Sequence, residues 1–184
     1  MKKQWLMLGL VLGLGLFNLT PGLAQNKRVR YIQDLYFYVK NKIAKEQYYL
    51  NEYQLNSTGK KLPQKGEYKR LERFFYSFSG KSQPTIRTIT IKTEEGSKKQ
   101  YEEFLYDLDG QLIFYYESQN NPEKKYRELS IYFHKGEVIH IIQNKTPVKP
   151  EEASVSETVL KAAWKKGERY HKKFDEQIKA YTRE

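Results

Sequence analysis

Tyr106-Asp107-Leu108-Asp109-Gly110-Gln111-Leu112-Ile113-Phe114 is matched, 26 residues later, by Tyr132-Phe133-His134-Lys135-Gly136-Glu137-Val138-Ile139-His140. Each copy reads as a strand, a turn with glycine where a positive φ is easy, and a returning strand. Asp109-Gly110 is a strong hairpin signal, and Lys135-Gly136 takes its place in the second copy. Two copies are too few for a solenoid or propeller. They predict consecutive hairpins in one antiparallel sheet.

The same pattern extends outward. Tyr49 to Leu55, Glu67 to Phe78, Thr85 to Thr93, Gln100 to Leu108, Gln111 to Glu117, Tyr126 to His134 and Glu137 to Gln143 alternate or are rich in β-branched and aromatic residues. Such residues suit a pleated, half-buried surface. Phe104, Tyr106 and Leu108 are expected on one face. Leu112, Phe114 and Tyr116 are expected to alternate with Ile113 and Tyr115. Ser79 to Pro84 is read as a turn and Ser118 to Lys124 as a polar loop.

Helical spacing flanks the strands. Val29, Ile32, Leu35, Tyr36, Val39 and Ile43 recur at three and four residues within Arg28 to Ala44, which makes one face of a helix apolar. After a proline-bearing linker over 146–153, Ser154 and Glu157 fit a capping box. The helix that follows has an apolar stripe from Leu160 through Ala163, Trp164, Gly167, Tyr170, Phe174 and Ile178 to Tyr181. Lys161, Lys165, Lys166, Arg169, Lys172 and Lys173 form its basic face. The expected fold is α+β: an N-terminal helix, an antiparallel meander of six to seven strands, and a C-terminal amphipathic helix whose Trp164 side packs on the sheet. Residues 25–145 and 154–184 then form one domain.

The first 24 residues read as an address. Lys2 and Lys3 precede an apolar stretch from Trp5 to Leu19, and Gly22-Leu23-Ala24 puts small residues at the −3 and −1 positions of a signal-peptidase site. The run from Trp5 to Phe17 is short beside the roughly 20 residues of a membrane span. Cleavage is expected between Ala24 and Gln25. It would leave 160 residues and lower the formal charge from +11 to +9, since Lys2 and Lys3 are the charges lost. The expectation is a bacterial protein exported to the periplasm or beyond and not integral to the membrane after processing.

Composition excludes several chemistries. With no cysteine, there can be no disulfide, Cys-based zinc site, thiol nucleophile or lipidated N-terminal Cys. At 15% aromatic and 39% hydrophobic residues, the chain can bury a core, unlike a disordered one. No P-loop, GxGxxG, GxSxG elbow or HExxH spacing is present. His134 and His140 flank one turn, but no third ligand accompanies them at metal-binding spacing. Asp107 and Asp109 serve the hairpin better than a calcium loop, which needs further carboxylates. Glu94-Glu95 and Glu102-Glu103 are adjacent strand residues on opposite faces, so neither pair converges as an acid/base dyad. No catalytic residue, cofactor or metal is expected.

The two hairpins loosely resemble MORN- and YD-type repeats, in which a glycine follows a polar residue at each turn. Together with the signal sequence and N-terminal helix, they resemble exported bacterial α+β proteins of unknown role. The resemblance covers mainly residues 98–143. It implies an extracytoplasmic sheet protein with a binding or structural role and carries over no catalytic residue. The candidate binding surface is Tyr106, Tyr115, Tyr132, His134, His140 and Trp164. The expected partner is another envelope protein or an anionic envelope polymer, met by the basic face. Nucleic acid is not expected, because RNP spacing is absent. The alternatives are an envelope-associated structural or inhibitory protein docking through an edge strand or the basic helix, and a hydrolase with an unrecognised site.

Overall fold

A computed structural model describes residues 21–79, 83–121, 124–150 and 155–181. Helix α1 (Pro21–Ala44) leads into strands β1 (Tyr49–Leu55), β2 (Lys61–Leu62), β3 (Gly66–Ser79), β4 (Gln83–Glu95), β5 (Lys98–Tyr106), β6 (Leu112–Asn121), β7 (Lys124–His134), β8 (Glu137–Gln143) and β9 (Thr146–Val148), followed by α2 (Glu157–Tyr181). The expected α+β architecture holds, with nine strands among the described residues in place of six to seven. They form one antiparallel sheet in the order β1-β3-β4-β5-β6-β7-β8-β9, with β2 paired to β3. The two unforeseen strands have short pairings. β2 makes two register pairs with β3, and β9 occupies part of the expected linker and makes three with β8.

Several boundaries move. The polar loop expected at Ser118 to Lys124 is largely strand, because β6 runs to Asn121 and pairs it with Lys124 of β7. Ser154 of the expected capping box lies outside the described residues. Ser156 caps α2 instead, its carbonyl accepting from Val159 and Leu160 and its hydroxyl from the Val159 N–H at 3.4 Å. The apolar run Trp5 to Leu19 also lies outside the described residues, and the Ala24–Gln25 bond falls in the first turn of α1. At its other end α1 closes with paired bonds, from Gln47 N–H to the Lys42 carbonyl and from Glu46 N–H to the Ile43 carbonyl, with Glu46 at φ 55°.

The helices lie on opposite faces of the sheet. Ile32 and Val39 of α1 pack with Leu105, Ile113, Phe114 and Tyr132. Ala163, Tyr170, Phe174 and Ile178 of α2 pack on the other face, with Phe74, Phe104, Tyr106 and Phe133 among their neighbours. Of the four register shifts among the described residues, three set which residues face which helix. The register skips Arg87 in β4, Ile113 in β6 and Ile139 in β8. An extra residue breaks strict alternation. Consequently Leu112 and Tyr115 both join the α2 face, while Ile113 and Phe114 both join the α1 face. This corrects the simple alternation expected for this strand. Leu108, expected beside Phe104 and Tyr106, is 71% exposed in the turn, because Asp107 Oδ1 draws the N–H groups of Asp109 and Gln111 and closes the loop before Leu108 can pair.

The sequence repeat is therefore a repeat of bulges. Ile113–Phe114 and Ile139–His140 occupy equivalent positions, and both pairs meet the α1 face. The turns differ. Five residues separate the paired Tyr106 and Leu112, whereas His134 pairs directly with Glu137 around a two-residue turn. Lys135 and Gly136 both have positive φ there, at 51° and 85°, as a type I′ turn requires.

Helix α2 crosses the strands. Trp164 meets Phe133 of β7 at 5.3 Å between ring centroids, Tyr170 meets Phe104 of β5 at 5.5 Å, and Phe174 meets Phe74 of β3 at 6.4 Å. Gly167 lies at the closest approach. A Cβ there would sit 2.6 Å from Leu112 Cδ2, and the Tyr106 hydroxyl donates to the Gly167 carbonyl at 2.8 Å.

Buried charge distinguishes two otherwise similar cations. Lys166 pairs with Glu102, which is 1% exposed. Arg87 is 4% exposed, and its Nε and Nη1 have no hydrogen-bond partner. Removing one partner of a buried ion pair strands the other charge, whereas replacing Arg87, whose guanidinium is hydrogen-bonded to the neutral Tyr48 phenol, by an apolar chain strands none. Lys166→Met is expected to cost about 3 kcal/mol, and Arg87→Met less than about 1 kcal/mol or to stabilise. Chemical denaturation of both variants checks the contrast.

Candidate functional site

The sheet carries a row of carboxylates beneath α2. Glu72 of β3, Ile91 of β4, Glu102 of β5 and Glu117 of β6 are successive register partners and share one face. Lys173 donates to Glu72 and Lys166 to Glu102. The spacing explains how one helix reaches both. Seven residues advance a helix by about 10.5 Å, and two strand spacings are about 9.6 Å. A helix lying across the strands thus brings Lys166 and Lys173 over β5 and β3 in turn. Both lysines belong to the basic face of the helical pattern, and the structure turns them down onto the sheet.

Aromatic hydroxyls complete this layer. Tyr115 donates to Glu102 Oε1 at 2.8 Å, and Gln100 donates to Glu117 at 2.9 Å. Burial, followed by the charges of Glu102 and Glu117, pushes the Tyr115 phenol far above its usual range. It therefore stays protonated and serves as a donor. Tyr170 is raised as well, by burial first, and accepts from Arg70. On the α1 face, Glu103 is 1% exposed and is held by Lys40 at 3.3 Å, Tyr101 at 2.9 Å and Tyr36 at 3.4 Å. Glu102 and Glu103 do diverge to opposite faces, and each is engaged in fixing a helix.

Two hollows flank the helices. One, of about 260 Å³, lies between α1 and the sheet, lined by Gln33, Tyr36, Phe37, Phe114, Tyr116 and Tyr132 among others. The other, of about 620 Å³, lies between the start of α2 and the β7–β8 turn. Phe133, Val138, Leu160 and Trp164 give it an apolar floor, and two lysines, Lys161 and Lys165, and one carboxylate, Glu157, stand at its rim. Both lysines are exposed. Glu157 pairs with Lys161 at 2.6 Å, which leaves Lys165 the less engaged of the two.

The six candidate surface residues do not form one surface. Tyr106 and Tyr115 are buried under α2 and spend their hydroxyls on Gly167 and Glu102. Tyr132 and His140 meet on the α1 side at 5.4 Å between rings. His134 pairs across the turn with Glu137, and its Nδ1 is buried without a hydrogen-bond partner. Burial lowers the pKa of His140, which favours a neutral imidazole. Among the described residues, no group of three His, Asp or Glu side chains is placed to hold a metal ion. Trp164 lines the larger of the two hollows and Tyr132 the smaller. Sequence reading missed Lys161 and Lys165 as a rim because all six basic residues of α2 look alike until the helix is docked.

No protein-family model, curated protein or solved structure matches the chain. Among the described residues, no helix is long and apolar enough to cross a membrane.

The Glu72 site makes a pH dependence. Burial alone would raise the Glu72 pKa, but hydrogen bonds and charge from Lys173 and Arg70 outweigh it and bring the value below the usual 4.5. A carboxylate depressed in the folded state contributes stability in full above its unfolded pKa and loses it as pH falls through the folded one. The melting temperature should therefore drop on acidification below about 4.5, the ordinary glutamate value. Glu72→Gln should flatten that drop, as thermal melts across the acid range would record.

Proposed function

We propose that the protein is an exported, non-enzymatic binding module that takes an anionic, partly apolar component of the bacterial envelope at the Trp164 hollow. The observation that carries this reading is the pairing of an apolar floor, Phe133, Val138, Leu160 and Trp164, with a lysine rim at Lys161 and Lys165. A hollow of about 620 Å³ falls within the size range of small-ligand sites. Its chemistry suits a ligand with a chain or ring to bury and a negative group to present to ammonium ions. Lys166 and Lys173, by contrast, are occupied in holding α2 to the sheet.

Export rests on Lys2 and Lys3, the apolar stretch Trp5 to Leu19, and Gly22-Leu23-Ala24. Intact-mass measurement of the protein recovered from outside the cytoplasm is expected to give the 160-residue chain beginning at Gln25. A cytoplasmic chain retaining residues 1–24 would count against export.

The processed chain has one tryptophan, Trp164, since the other is Trp5. Its emission reports directly on the hollow. Titration with a medium-chain alkyl phosphate should shift that emission, and the corresponding uncharged alcohol should bind more weakly. Replacing Lys161 and Lys165 together by alanine should weaken alkyl phosphate binding about three- to tenfold, as expected for two exposed charges. Equal binding of phosphate and alcohol, or no response from Trp164, would remove the proposal.

A further inference from the structure

The two edges of the sheet are protected very differently. A free edge strand presents unpaired N–H and C=O groups, and soluble proteins blunt such edges with short strands, proline, lysine or bulges. β9 follows that rule. It has three residues, includes Pro147 and is flanked by Lys145 and Lys149. β1 breaks it. It has seven residues, no proline, no lysine, and continuous register with β3 from Tyr49 to Leu55 without a bulge. Its far side meets no other strand among the described residues. Tyr49, Leu50 and Leu55 are 59%, 46% and 55% exposed.

Charge indicates what covers this edge. The fourteen residues from Glu46 to Gly59 contain two glutamates and neither Lys nor Arg, in a chain of net charge +11. Two copies meeting here bring no lysine against lysine, although the protein as a whole repels itself. The one charge on β1, Glu52, is already matched within its own chain by Arg73 at 2.6 Å. The apolar side chains are also self-complementary. Tyr49 and Leu55 pair with Tyr76 and Arg70 in register and lie three positions either side of Glu52 on one face. A two-fold axis normal to the sheet at Glu52 would set Tyr49 of one copy opposite Leu55 of the other, twice.

From these features we propose that the protein forms a homodimer by antiparallel pairing of β1 with β1 of a second copy, joining the two sheets edge to edge. This use of backbone pairing needs no ligand and stands apart from the Trp164 hollow.

The test combines mass with cross-linking. Light scattering on the purified protein should give twice the chain mass. Leu55→Lys, at an exposed position, should return it to the monomer mass with unchanged circular dichroism. Because the chain has no cysteine, a single introduced thiol can cross-link only between copies. Paired residues across an antiparallel ladder have Cα atoms about 4.5–5.5 Å apart, within disulfide reach. Glu52→Cys should oxidise to a covalent dimer, while Leu108→Cys, in an exposed turn, should stay monomeric under the same oxidation. A monomeric native protein overturns the proposal, as does a dimer that survives Leu55→Lys. Capture of a different protein at this edge by a chain that is itself monomeric overturns it too.

Discussion

Two adjacent glutamates on one inner strand hold the layers of this protein together. Glu102 and Glu103 point to opposite faces of β5, and each is 1% exposed. Lys166 reaches one from α2, and Lys40 reaches the other from α1. Buried charge is costly unless paired and hydrogen-bonded, so each carboxylate requires its helix to dock in one position. Tyr115 supports Glu102, and Tyr36 and Tyr101 support Glu103. Burial and the neighbouring carboxylate raise the pKa of all three phenols, which keeps them protonated as donors. In a chain without cysteine, this polar clamp and the aromatic packing beside it do the work that a disulfide does elsewhere.

Much of the architecture could be read from residue order. The helical spacing of Val29 to Ile43 and of Leu160 to Ile178 identified both helices and their buried stripes, since 3.6-residue periodicity is a local signal. The glycine turns at Gly110 and Gly136 identified the hairpins. What could not be read depends on register. A bulge at Ile113 changes which side chains face α2, and nothing in the local alternation of Leu112 to Tyr116 announces it. β9 was hidden by Pro147, which reads as linker and is tolerated here because the strand is at an edge.

The residues of the candidate site were less legible than the fold. Tyr106, Tyr115 and Tyr132 are conspicuous in a sequence with 16 tyrosines, and their spacing on strands is compatible with a binding platform. Docking of the helices converts them into buried structural groups. Conversely, Lys166 and Lys173 cannot be told from Lys161 and Lys165 in sequence. Their roles separate only because α2 crosses the strands, placing the first pair over Glu102 and Glu72 and leaving the second beside Trp164. The angle of one helix thus decides which lysines are tied to the sheet and which stay exposed beside Trp164.

Amide hydrogen exchange read helix by helix tests the clamp most directly, by comparing the native chain with Glu103→Gln and Glu102→Gln. Each substitution should loosen the helix on its own face. Glu103→Gln is expected to reduce protection in α1 while α2 keeps its native rates, and Glu102→Gln should do the reverse. If the two helices lost protection together in both variants, or if neither changed, the paired glutamates would not be what fixes the two layers to the sheet.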